Sequence, residues 1–153
     1  TYSGTVSAAM EGAISGIRSI ALSQVYARSG MGDAVPFSAA AAWGERVLRP
    51  LIAMPHSPRM LFNINFPAVE AEAVRGIKVV RQGLHDVDRT SIIEGTDPRG
   101  YRYFWFGLGT SQSVPAGTDL AAIADNHITV TPLHYDLTQD SALAATAAAF
   151  GDQ

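Results

Sequence analysis

The chain has 153 residues, 47% of them hydrophobic and 16% charged, with a formal net charge of −3. This is enough apolar content for one core, and the weak negative charge argues against a nucleic-acid or anionic-membrane surface, which needs clustered Lys and Arg. The absence of cysteine excludes disulfides and thiolate metal sites, and no apolar run approaches the roughly 20 residues of a membrane span. The first residues do not read as a signal peptide, so the expectation is a soluble, cytoplasmic, mildly acidic α/β domain.

The opening Tyr2-Ser3-Gly4-Thr5-Val6 runs into residues 5–14, mostly Ala, Met, Glu and Ile, which read as a helix capped by Ser3 or Thr5 and ended by Gly16. Residues 19–23 read as a short buried strand. After a Gly-rich loop at 29–33, a second helix is expected over 37–52, with Trp43, Val47, Leu48, Leu51 and Ile52 at helical spacing. Residues 60–67 alternate apolar and polar and stop at Pro67, as a strand does, and 77–80 form another. Residues 81–100 are polar and turn-rich, with Asp97-Pro98-Arg99-Gly100 as a tight turn before an aromatic strand at 101–108. Thr118 caps a further helix, 127–131 form a strand that Pro132 is expected to break, and 141–150 form an alanine-rich helix.

This order gives a mixed α/β sheet with a protruding hairpin arm. Tyr101, Tyr103, Phe104, Trp105 and Phe106 put five aromatics in six positions, more than one strand face can bury. Each ring left in water forgoes about 1.5–3 kcal/mol of transfer energy. Inward packing of alternate residues is the ordinary alternative; an oligomer interface is the expectation.

Ser3-Gly4-Thr5 at a helix start suits an anion, because unpaired backbone N–H groups and the helix dipole converge there and glycine allows close approach. The same residues also fit an ordinary capped helix. His85-Asp86-Val87-Asp88 has the residue types of a hard-metal or acid/base site but reads better as a solvated turn. His134 and Asp136 fit a general-acid pair, and fit better a hinge that positions the last helix. His56, between Pro55 and Pro58, reads as loop. Asn63 and Asn65 share one strand face and either bond loops near an active site or satisfy backbone.

Five segments together resemble the SurE family of stationary-phase survival nucleotidases. They are Tyr2-Ser3-Gly4-Thr5-Val6 with Ala8-Ala9-Met10-Glu11-Gly12, Asn63-Ile64-Asn65-Phe66-Pro67, and Gly76-Ile77-Lys78-Val79 with Arg81, Gly83 and Asp97-Pro98-Arg99-Gly100. The others are Gly117-Thr118-Asp119 with Ala121-Ala122, and Ile128-Thr129-Val130-Thr131-Pro132-Leu133-His134 with Asp136-Leu137-Thr138. The resemblance implies a Rossmann-like fold, here partial, with residues 1–80 as the remainder of its core. It implies an arm at 81–110 for oligomerisation and a segment at 111–153 whose helix is exchanged between subunits of a homodimer or tetramer. The implied activity is hydrolysis of nucleoside 5′- and 3′-monophosphates with a divalent ion, Mg or Mn, and Ser3, Gly4 and Thr5 hold the phosphate. The family's metal ligands fall upstream of Thr1, so none is carried over to this chain.

Magnitudes bound what the helix start does alone. Helix-end electrostatics contribute about 0.3–1 kcal/mol, up to about 2 when partly buried, and charge-assisted hydrogen bonds about 1.5–3 each. These orient a phosphate but supply no activated water, and phosphate monoester hydrolysis is among the slowest uncatalysed reactions. Residues 1–153 alone are therefore expected to be inactive and the complete protein active. The rival expectation is a non-catalytic nucleotide-binding or oligomerisation module.

Overall fold

The computed structural model describes residues 3–25, 37–55, 57–84, 90–108 and 114–151. Helix α1 (Gly4–Ile14) begins at Ser3, whose Oγ accepts the Val6 N–H at 3.2 Å. It ends in a Schellman turn: Ile17 N–H donates to Gly12 O at 2.9 Å and Gly16 N–H to Ala13 O at 3.1 Å, with Gly16 at φ 75°. The turn reverses the chain into β1 (Ser19–Gln24), antiparallel to the helix. A Cβ on Gly12 would collide with Ser19 Oγ, so this glycine sets the close helix–strand approach.

Helix α2 (Ser38–Ala53) crosses the other face of the sheet and returns as β2 (Met60–Phe66), parallel to β1. Its C-terminal carbonyls are capped by Arg18, which donates to Leu51 O at 2.9 Å and Met54 O at 2.7 Å. A single 3-10 turn, Ala71–Ala73, precedes β3 (Gly76–Val79). Strands β4 (Thr90–Thr96) and β5 (Arg102–Leu108) pair with each other in a separate two-stranded sheet. Helix α3 (Asp119–Ala124), strand β6 (His127–His134) and helix α4 (Asp140–Phe150) complete the described elements.

The main sheet has the order β1-β2-β6-β3, with β6 antiparallel to β2 and parallel to β3. One face carries the larger core, where Ala39, Val47 and Leu51 of α2 meet Phe62, Ile64, Phe66, Ile128 and Val130. The other face packs Ala9 and Ala13 of α1 on Ala21 and Leu61. The expected mixed α/β sheet is therefore present.

Two boundaries differ from the sequence expectation. Strand β6 runs through Pro132 to His134, with Pro132 opposite Phe62. Strand β3 accompanies only residues up to Val130, so the strand has an open flank at Pro132, where a missing N–H breaks no ladder. The polar stretch before residue 100 contains β4, joined to β5 by the expected turn. There Asp97 Oδ1 accepts the Arg99 and Tyr101 N–H groups at 2.9 and 2.8 Å, and Gly100 takes φ 87°.

Tyr101, Phe104 and Trp105 are 71%, 60% and 65% exposed, and Ile92 and Ile93 are exposed beside them. Among the described residues no helix is long and apolar enough to cross a membrane.

Candidate functional site

Ser3 holds extended backbone, φ −84° and ψ 111°, so its hydroxyl turns back over the first turn while its carbonyl accepts from Ser7 N at 3.0 Å and Ser7 Oγ at 2.9 Å. Val6 N–H is spent on Ser3 Oγ. The N–H groups of Gly4 and Thr5 precede the first intrahelical bond and have no partner among the described residues. Space is open to 4 Å where a Gly4 Cβ would stand, and Gly4 and Thr5 are both exposed. The first turn has no acidic residue to compete for an anion.

Beside this helix start lies a cleft of about 380 Å³ between α1 and α3, floored by β2 and β6. This volume falls within the roughly 300–1,000 Å³ of small-molecule sites. Ser3, Ser7 and Met10 form one wall, Leu120 and Ile123 the other, and Ser23, Asn63 and Asn65 contribute polar groups. Of the expected phosphate residues, Ser3 lines the cleft; Gly4 and Thr5 are exposed at the helix start next to it and are not part of its lining.

Asp119 is the cleft's carboxylate. It is largely buried, and its Oδ1 accepts from Gly83 N at 2.7 Å and Leu120 N at 2.8 Å. One carboxylate with an oxygen already engaged twice is a poor donor set for a hard divalent ion, which takes several oxygen ligands. No group of three or more His, Asp or Glu residues positioned to hold a metal ion occurs among the described residues. The residues present do not by themselves fit the implied metal.

His134 reaches the cleft at the end of β6, but Asp136 does not bond to it. The Asp136 carboxylate accepts the Thr138 N–H at 2.9 Å. Hydrogen bonds from the Thr138 side chain and backbone hold it below its ordinary value, with smaller help from the charges of His134 and Arg59 against slight desolvation. Thr1, Tyr2, His56 and His85-Asp86-Val87-Asp88 lie outside the described residues.

Both asparagines line the cleft. Asn65 Nδ2 makes one long bond, 3.4 Å, to Thr129 Oγ1, and the Asn63 carboxamide has no partner among the described residues. Ser7 and Ser23 carry no site role in the sequence reading, and Asp119 enters it only within the Gly117-Thr118-Asp119 motif. Ser7 stands one turn below Ser3, a spacing that was available; Ser23 joins only because β1 registers Ser23 opposite Asn65.

The Survival protein SurE family model matches residues 1–89. A protein named 5′-nucleotidase SurE from Rhizorhabdus wittichii is 60% identical over 151 residues, covering 98% of this chain and 59% of its own length. One of the same name from Erythrobacter litoralis is 54% identical over 144 residues, covering 94% of this chain and 56% of its own. The crystal structure of the SurE protein from Aquifex aeolicus superposes with a TM-score of 0.73 at 30% identity, over 97% of this chain and 58% of that one. The chain thus spans somewhat under 60% of the length of these relatives. A family match over more than half the chain, close relatives along almost all of it and a shared fold agree: the chain belongs to the Survival protein SurE family.

Proposed function

We propose that this chain is part of a metal-dependent phosphatase that hydrolyses nucleoside 5′- and 3′-monophosphates, with Ser3, Gly4 and Thr5 holding the phosphate. The observation that carries the reading is the Ser3-capped start of α1, inside the family-matched span, with the free N–H groups of Gly4 and Thr5 beside a cleft. The relatives' name, 5′-nucleotidase, supports the reaction class.

In this reading the divalent ion, Mg or Mn, is held by residues outside 1–153, and the chain's own residues bind and orient. The backbone N–H groups and hydroxyls fix the phosphate oxygens, and Met10, Leu120 and Ile123 give the cleft its apolar surface. The arm at 81–110 and the helix of 111–153 join copies into a homodimer or tetramer, with residues 1–80 as the core. The protein works in the cytoplasm.

The test is turnover. Residues 1–153 with saturating Mn²⁺ should give no phosphate release from AMP or GMP, whereas the full reading frame carrying them should be active. Ser3→Ala in that protein should lower kcat/KM by roughly tenfold, the loss of one charge-assisted bond. Turnover by residues 1–153 alone would overturn the placement of the metal. An inactive full-length protein that still binds AMP would favour the non-catalytic module.

A further inference from the structure

The depth of the cleft can be read from helix and strand geometry. Gly12 packs on Ser19, and α1 runs antiparallel to β1. From Gly12 back to Ser3 is nine residues, about 13 Å of helix. From Ser19 to Ser23 is four residues, also about 13 Å of strand. Ser3 therefore stands level with Ser23. Register then places Asn65 at the same level, opposite Ser23, and Asn63 one step further from the helix start, opposite Ala21 on one side and Thr131 on the other. That step is about 7 Å along the strand. Past Asn63 the floor turns apolar with Leu61 and Leu133.

The floor's polar groups are only partly engaged: Asn65 makes one long bond, 3.4 Å, to Thr129 Oγ1. The Asn63 carboxamide, two donors and an acceptor, bonds nothing among the described residues. Opposite Asn63 in the sheet, behind the cleft lining, the buried Thr131 hydroxyl also has no partner among the described residues. Polar groups left unpaired in a protein interior are costly, and a polar ligand is one way to satisfy them. A nucleotide presents phosphate, sugar and base in sequence, and the cleft presents a helix start, Asn65, and then Asn63 among Met10, Leu61 and Leu133.

We propose that Asn65 binds the sugar hydroxyls and Asn63 a hydrogen-bonding edge of the base, so that this pair determines the preference for nucleotides over simple phosphate esters. The inference rests on the nucleoside monophosphate reading above. A carboxamide pairs bidentately with a base edge through its donor and acceptor together, and the apolar side chains nearby suit the flat faces of the ring.

The experiment is calorimetric titration of the 153-residue chain with AMP, ribose 5-phosphate and inorganic phosphate. Asn63→Ala should weaken AMP roughly tenfold and leave the other two unchanged. Asn65→Ala should weaken AMP and ribose 5-phosphate alike and spare inorganic phosphate. Asn63→Leu keeps the side-chain volume without adding a charge and should lose AMP in the same way, so a folding defect in the alanine variant does not decide the matter. Equal losses for all three ligands, or none for AMP, would overturn the assignment while leaving the phosphatase reading intact. A wild-type chain that binds none of the three would overturn both.

Discussion

At the scale of single residues, the tail of β6 separates two readings of His134 and Asp136. The Asp136 carboxylate is engaged by Thr138, two residues on, and not by the imidazole, so it shapes the turn that leads into α4. Its folded pKa lies below the ordinary 3.8, the Thr138 hydrogen bonds being the main cause. The turn's contribution to stability is therefore complete above about pH 3.8 and is lost as pH falls through the lowered folded value. Thr138→Ala should move the Asp136 titration upward in a carboxyl NMR experiment, because it removes the side-chain hydrogen bond that does most to stabilise the carboxylate. His134→Gln should move it less. The reverse order would restore the histidine–carboxylate pair as a chemical unit.

At the scale of elements, two separate motifs close into one clasp at the base of the arm. Arg81 N–H donates to Gly117 O at 3.3 Å, Asp119 N–H to Arg81 O at 2.9 Å, and the Asp119 carboxylate accepts from Gly83 N at 2.7 Å. Gly83 precedes β4 and Gly117 follows β5, so the clasp ties together the chain on either side of that hairpin. A Cβ on Gly83 would stand 2.8 Å from Leu120 Cδ1 and 3.0 Å from Asp119 Oδ1, which is why glycine sits there. Asp119→Ala leaves the Gly83 and Leu120 N–H groups without their acceptor, at a cost of about 1–3 kcal/mol. In a domain of this size that lowers Tm by roughly 2–4 °C per kcal/mol, and Asp119→Asn, which keeps an acceptor oxygen, should recover most of the loss. Equal melting of all three proteins would show that the clasp carries no stability. The clasp was not legible in sequence, because it joins residues 36 positions apart. The helices were legible, since period and caps are local: Ser3 and Thr118 both cap as their residue types predict. Pro132 is the opposite case, because whether a proline breaks a strand depends on the length of the neighbouring strand, which is not local information. Asn63 and Asn65 were seen to share a face, but the cleft they line needed the register with β1 and β6.

At the scale of the whole molecule, two elements, α4 and the β4–β5 hairpin, add nothing to either core cluster among the described residues. Every residue of α4 is exposed, and Leu143 and Phe150, seven apart, fall on one side of the helix. An 11-residue helix is marginal alone in water, since isolated helices shorter than about 12–15 residues rarely persist. The arm shows the same imbalance: Trp105 stacks edge-on against Tyr103, centroids 6.3 Å apart, yet stays largely exposed. Polar partners do not account for its apolar surface, since the arm's ion pair, Arg102 to Glu94 at 2.5 Å, is itself solvated. A second copy covers both elements in the reading adopted above. By light scattering the chain should therefore run as a dimer or tetramer. Leu143→Glu with Phe150→Glu should shift it toward monomer without changing the far-UV signature of the sheet. Trp105→Glu with Phe104→Glu should remove only assembly made through the arm, so a tetramer would fall to a dimer and α4 pairing would survive. A wild-type chain that stays monomeric at high micromolar concentration would overturn the exchange of α4. A dimer unaffected by the α4 changes but lost with the arm changes would move the primary contact to β4 and β5.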